Sequence, residues 1–174
     1  MATATSVEIP RPQSGDVVEL ILEDHRLFET LLRELRNDQN DRGALLAQLS
    51  ALLMAHGDAE ESKVYPQLER KDAIEEEEAE HGEKEHREIY EALLPLLEAS
   101  ELYDEAFSDG IHELSETLLH HLDEEERDIL NPAREEVSDE DRIQLGQSWL
   151  RERNRMLDEG CGTLEQVRAH LESA

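Results

Sequence analysis

Apolar residues recur along this chain at the three-and-four spacing of helices buried on one face. A first stripe, Val18, Ile21, Leu22, His25, Phe28, Leu32 and Leu35, predicts a helix from about Asp16 to Arg36. A second, Leu45, Leu49, Leu52, Leu53, His56, Ala59, Glu60 and Val64, predicts one from about Arg42 to Leu68, disturbed near its end by Pro66. The third opens on the acidic run Glu75 to Glu78, which suits the positive end of a helix dipole. It continues through Ala79, His86, Ile89, Tyr90, Leu93 and Leu97, with Pro95 as a kink or an end. The fourth, Phe107, Ile111, Leu114, Leu118, His121, Glu125 and Ile129, predicts a helix from about Tyr103 to Leu130, with Pro132 as its stop.

Short breaks rich in turn formers separate these stripes, at Asn37 to Gly43, Arg70 to Ala73 and Ala99 to Leu102. Four amphipathic helices joined this way predict an all-α fold, an antiparallel up-down-up-down four-helix bundle. Beyond about residue 138 the pattern predicts a C-terminal helical extension. A shorter helix after Ser138 reaches about Leu157, Gly160 to Gly162 forms a break, and a last helix from Thr163 to Glu172 is capped by Thr163 and Gln166. These pieces are expected to pad the outside of one domain covering residues 15–174. Residues 1–14 have two prolines and no periodicity, and are expected to form a flexible N-terminal tail.

Composition agrees with helices. The apolar fraction is 37% and aromatics are only 3%, with Leu dominant and Val and Ile sparse. The length of 174 residues suffices for one domain with a sizeable core. No apolar run approaches a membrane span, and the N-terminus lacks a charged start followed by an apolar block. With a lone cysteine, Cys161, this predicts a cytoplasmic chain without a disulfide framework. The net charge of −28, from 45 acidic and 17 basic residues, excludes nucleic acid and anionic membrane as expected partners. So acidic and Lys-poor a surface is the one expected of a halophilic protein, in whose cytoplasm salt screens the self-repulsion.

The chemistry lies on the apolar stripes. Each of the four contains one histidine, His25, His56, His86 and His121, and two of these begin a His-x-x-x-Glu pair, His56 with Glu60 and His121 with Glu125. Residues four apart share a helix face, so each imidazole projects beside a carboxylate. Counting from the break between the second and third helices, His56 and His86 match in level within about 2 Å at 1.5 Å per residue. Four imidazoles and two carboxylates in one dry layer are costly unless something satisfies them, and a metal would. Six ligands exceed the needs of one tetrahedral zinc. An imidazole and carboxylate set suits iron, manganese or zinc better than calcium or magnesium, and iron is the expected ion.

The ordered set His25, His56-x-x-x-Glu60 with Tyr65-Pro66, Glu85-His86, and His121-x-x-x-Glu125 ahead of Pro132 resembles the hemerythrin-like (HHE cation-binding) family over roughly residues 16–157. The resemblance implies a four-helix bundle holding two iron ions in a non-haem, oxo- or hydroxo-bridged centre. It implies His25 and His56 on one iron, His86 and His121 on the other, and Glu60 and Glu125 bridging. Oxygen-carrying members have a further histidine one turn before the position of His86, where this chain has Gly82. His81 lies next to it, about 100° round the helix, and is expected to be exposed unless the helix is rewound. His120 is rotated off the core face in the same way, and His112 and His170 are expected at the surface. Tyr90 is expected to be a core-edge tyrosine rather than a partner of His86.

Without the extra histidine each iron has an open position. This predicts binding of, or reaction with, dioxygen, peroxide or nitric oxide, including catalase-like or nitric-oxide-handling activity, over reversible oxygen transport. An iron-storing or iron- or oxygen-sensing module without turnover is the alternative, with contacts around Trp149 as one route to a partner. A plain bundle without metal is a third reading. The halophilic reading of the surface predicts that the melting temperature rises as KCl is added; a thermal-denaturation series that stays flat with salt overturns it.

Overall fold

A computed structural model describes residues 6–173 of the chain, and the described residues form helices without a strand. Helix α1 spans Val17–Arg36, with the Asp16 side chain accepting from the Val18 amide at its N-terminus. Helix α2 spans Arg42–Ala59, capped in the same way by Asp41. A π-helical turn, Glu60–Val64, carries α2 on into α3, Tyr65–Arg70. Helix α4 spans Glu76–Glu98, and the Glu78 carboxylate accepts from the Glu75 amide at its start. Helix α5, Glu105–Glu125, is capped by Asp104 and runs through a second π turn, Glu126–Leu130, into α6, Asn131–Glu136. Helices α7, Asp139–Glu159, and α8, Leu164–Glu172, complete the chain, opened by the expected Ser138 and Thr163 caps. Caps of this kind contribute about 1 kcal/mol each.

The two π turns have a common cause. Pro66 and Pro132 each stand second in the helix that follows. A proline ring inside a helix clashes with the carbonyl four residues back and offers no N–H. Widening the preceding turn by one residue relieves both problems, and the Tyr65 and Asn131 amides bond five residues back, to Glu60 and Glu126. Pro132 therefore does not stop the fourth long helix, as expected from sequence; the helix widens and continues to Glu136. Pro95, expected as a kink or an end, does not end α4, which runs on to Glu98.

The core is divided. One apolar cluster is built from Phe28, Leu32, Leu49, Leu53, Leu93 and Leu114 with their neighbours. The other contains Ile21, Tyr65, Leu68, Ile74, Ile129 and Trp149. On each long helix the histidine marks the boundary, and the order of the clusters reverses from one helix to the next, as antiparallel packing requires.

The C-terminal helices are built into this arrangement. Helix α7 packs along α1 and α2, and α8 packs on α4. Trp149 and Arg153 of α7 are each only 1% exposed, so α7 is part of the interior rather than padding. The expected flexible tail needs correction where it is described. Residues 1–5 lie outside the described residues, but 6–14, though without regular structure, are tied down. Val7 and the Gln48 side chain exchange two 2.8 Å hydrogen bonds, Arg153 donates to the Pro10 carbonyl, and Asn154 donates to that of Pro12.

The loop between α7 and α8 presses on α2. Ser50 donates to the Gly162 carbonyl at 2.6 Å, and a Cβ on Gly162 would lie 2.5 Å from the Ala51 nitrogen, at a φ of +83°. Gly160 has a similar φ, +81°, with open space around it. Gly160→Ala is expected to cost about 1 kcal/mol, the backbone penalty alone. Gly162→Ala adds a clash with α2 and is expected to cost roughly twice that or more. Denaturant titrations of the two variants measure the difference.

Candidate metal centre

The structure brings all six expected ligand residues into one layer between the two apolar clusters. His25 is 3% exposed, His56 3%, Glu60 0%, His86 5%, His121 2% and Glu125 2%. His56 Nε2 lies 3.1 Å and His86 Nε2 3.4 Å from Glu60 Oε1, so that carboxylate faces helices α2 and α4 at once. His25 Nε2 is 3.1 Å from Glu125 Oε1, and His121 Nε2 is 3.6 Å from Glu125 Oε2. Donor atoms of Glu60, His86, His121 and Glu125 fall within 4.8 Å of one another, as do those of His25, His56 and Glu125.

Apart from the hydrogen bond between His25 Nε2 and Glu125 Oε1, these side chains do not satisfy each other. Among the described residues, the buried side-chain nitrogens and oxygens without a hydrogen-bond partner are His25 Nδ1, His56 Nε2, both oxygens of Glu60, both nitrogens of His86, and His121 Nε2. Each such atom costs about 1–3 kcal/mol when left unpaired. That they cluster here, on residues with lone pairs for a cation, is what a metal centre requires. The donor set, imidazoles and carboxylates without thiolate, fits a first-row transition ion.

Outside this layer stands a second ring of carboxylates that the sequence reading did not assign. The Asp24 carboxylate accepts from His56 Nδ1 at 2.9 Å, and that of Glu85 from His121 Nδ1 at 3.0 Å. Glu61 lies 3.5 Å from His86 Nδ1 and Glu126 3.9 Å from His25 Nδ1. His56 and His121 thus each hold Nδ1 on a carboxylate and keep Nε2 for the centre, the arrangement that orients metal-binding histidines, while Glu61 and Glu126 stand near His86 and His25 without a hydrogen bond. The pattern is also an internal repeat. Asp24-His25 and Glu85-His86 precede His56-x-x-x-Glu60-Glu61 and His121-x-x-x-Glu125-Glu126, and in both halves the acid beside one histidine serves the histidine of the next long helix. The repeated acid–histidine and Glu–Glu pairs were visible in sequence; which imidazole each acid faces was not.

The two halves differ in what covers them. Arg153 donates two bonds to Asp24, at 2.8 and 2.7 Å, and Trp149 sets its ring edge-on to His56 and its Nε1 3.4 Å from the His56 carbonyl. Burial alone would raise the Asp24 pKa, but the bonds from His56 and Arg153 overcome it and hold the carboxyl below its usual range. Around Glu85 a pocket of about 320 Å³ opens instead. It is lined by His81, Gly82, Glu85, Glu124 and Asp128, and it reaches His121 and Glu125. On the opposite side Phe28, Leu53, Ile89, Tyr90 and Leu118 close the layer around a void of about 10 Å³, no more than one water's worth.

Tyr65 is the functional residue that sequence reasoning missed, although it stood in the quoted Tyr65-Pro66 pair. Its hydroxyl donates a short hydrogen bond to Glu125 Oε2, and its ring stacks on His86 at a centroid distance of 6.0 Å. A Cβ on Gly82 would lie 3.0 Å from that hydroxyl, so the phenol occupies the space beside α4 that a side chain at position 82 would need. Burial, with the Glu125 charge behind it, raises the phenol's pKa well above its usual value and keeps its proton in place. Tyr90 makes no such bond and rests its ring 4.5 Å from that of His170. His81, His112 and His120 are exposed as expected.

The fold and this layer together define an all-helical protein of the cation-binding bundle class. The family model of the hemerythrin HHE cation binding domain matches residues 16–133, and the chain belongs to that family. Comparison with curated proteins and with solved structures finds no match.

The metal-free site holds protons that a metal must displace. Burial pushes the His56 pKa down, but the Glu60 charge, the Asp24 hydrogen bond and their lesser companions together raise it from 6.5 to about 10. A histidine raised in this way stabilises the fold fully below its unfolded pKa and loses that contribution as pH rises through the folded one. The melting temperature of the chelator-treated protein is therefore expected to fall between pH 6.5 and about 10. Metal affinity should rise over the same window, with protons released on binding. Melting curves and calorimetry in two buffers check both signs.

Proposed function

We propose that the layer is a non-haem di-iron centre that reacts with dioxygen, peroxide or nitric oxide, in handling oxidative or nitrosative stress. His25 and His56 would hold one iron, His86 and His121 the other, with Glu60 and Glu125 between them. Bound iron would supply the electrons and the Lewis acidity for such chemistry. The observation that carries the reading is the pocket beside Gly82, which ends on Glu125 and on His121, whose buried Nε2 has no hydrogen-bond partner. A carrier of oxygen protects this position with a histidine; here a small molecule can approach it.

The chain's own residues prepare the site. Asp24 and Glu85 hold the Nδ1 protons of His56 and His121 and so leave each Nε2 facing inward. The Tyr65 hydroxyl donates to Glu125 Oε2, the oxygen on the His121 side, and so orients that carboxylate. Phe28, Leu53 and Leu118 keep water from the far side of the layer. No described helix is long and apolar enough to cross a membrane, in keeping with a cytoplasmic place of action for a chain of this charge.

Protein purified without added metal is expected to contain about two iron atoms per chain and to consume hydrogen peroxide. His121→Ala should lose iron and turnover together. Less than one iron per chain overturns the di-iron reading. Full iron without consumption of peroxide or nitric oxide, or autoxidation by dioxygen, favours the storing or sensing module instead.

A further inference from the structure

The internal repeat is broken at one point, and the break locates a feature the family resemblance does not include. In the first half, the outward carboxylate Asp24 has a full cationic partner in Arg153. In the second half, the equivalent carboxylate Glu85 has none. It is 4% exposed, gives Oε1 to His121, and turns Oε2 toward the imidazoles of His81 at 3.6 Å and His120 at 3.7 Å. Glu124 stands beside it, 2.6 Å from His81 Nε2 and 3.2 Å from His120 Nε2.

His81 and Glu85 are four apart on α4, and His120 and Glu124 are four apart on α5. Each is a His-x-x-x-Glu pair on one helix face, and the two face each other across an antiparallel helix contact. The inner His121 and Glu125 are the same motif shifted by one residue. Donor atoms of His81, Glu85 and Glu124 lie within 4.8 Å of one another, and His120 Nε2 stands on the α5 side of the two carboxylates, 3.2 Å from Glu124 Oε1 and 3.7 Å from Glu85 Oε2. His81, Glu85 and Glu124 line the pocket that leads to the inner layer, where Glu77, Glu78 and Asp128 add acidic groups.

We propose that His81, Glu85, His120 and Glu124 form a separate binding site for one divalent transition ion at the mouth of this pocket. Two imidazoles with two carboxylates select a borderline ion such as Zn²⁺ or Fe²⁺ over Mg²⁺ or Ca²⁺. The ion takes the electrostatic place that the guanidinium of Arg153 takes in the other half, compensating a buried carboxylate that also orients an inner histidine. Glu85 is therefore shared: one oxygen serves the mouth site and the other serves His121. The site does not depend on which metal the inner layer holds, or on its reactivity.

The test is calorimetric titration of the full-length chain with Zn²⁺ in a large excess of Mg²⁺, which occupies surface carboxylates that accept any hard cation. Wild type should bind one Zn²⁺ per chain beyond the inner layer, both when iron-loaded and when metal-free. In the double variant H81A/H120A, whose side chains are exposed, that equivalent should disappear or weaken by more than the roughly 10–100-fold that loss of an outer partner to a metal ligand costs. The melting temperature should be unchanged. Glu124→Gln should weaken the same equivalent. Wild type without the extra equivalent, or a double variant that keeps it at full affinity, overturns the proposal. Failure of the inner centre would appear differently, as loss of the tight equivalents from wild type and variant alike.

Discussion

A layer of buried imidazoles and carboxylates, several of whose atoms have no hydrogen-bond partner, is what the rest of this molecule accommodates. It lies between two apolar clusters that never merge, because each long helix must pass its histidine and, on α2 and α5, its glutamate through the same plane. Packing alone would favour apolar residues there, since unpaired polar atoms at this depth weaken a core. Their lone pairs are grouped where metal ions could take them up, and Asp24 and Glu85 fix the His56 and His121 imidazoles in advance. Stability and metal affinity are thus coupled in this chain: the groups that cost most in the empty bundle are those with most to gain when it is filled.

The bundle was legible from periodicity, and so was the layer, because both depend on the same spacing. His25, His56, His86 and His121 interrupt otherwise apolar stripes, and a stripe reports which side chains face inward whatever their chemistry. Relations between helices were harder to read. Asp24 pairs with His56 rather than with its neighbour His25, a consequence of how α1 and α2 are rotated against each other, which no local pattern records. Arg153 is one arginine among many on an acidic chain, and only the packing of α7 shows that it is buried. Tyr65 escaped notice because a regular helix would have pointed it elsewhere, and Pro132 was read as a stop because a proline is usually answered by an ending rather than by a wider turn.

The second half of the molecule is the chemically accessible one. Helix α7 lays the buried Trp149 and Arg153 over His56 and Asp24, and the cavity of about 150 Å³ on that side reaches Asp24 but none of the inner imidazoles. On the His121 side the same plane opens past Gly82 into a pocket bordered by acids and histidines. A near-twofold arrangement of ligands is in this way given two unlike faces. The pocket reaches His121 and Glu125, and the proposed mouth site stands on that path.

The π turn after Glu60 acts as a phase shift. Along a regular α-helix, five residues advance the side chain by about 500°, which leaves Tyr65 about 140° away from Glu60. With its wider spacing the π turn brings the two to within roughly 50°, and the phenol arrives over the same layer as the carboxylate. The extra residue is therefore an angular setting rather than added length. A lineage that lost it would keep His56 in α2 and still turn Tyr65, and everything after it on that helix, to face another part of the protein.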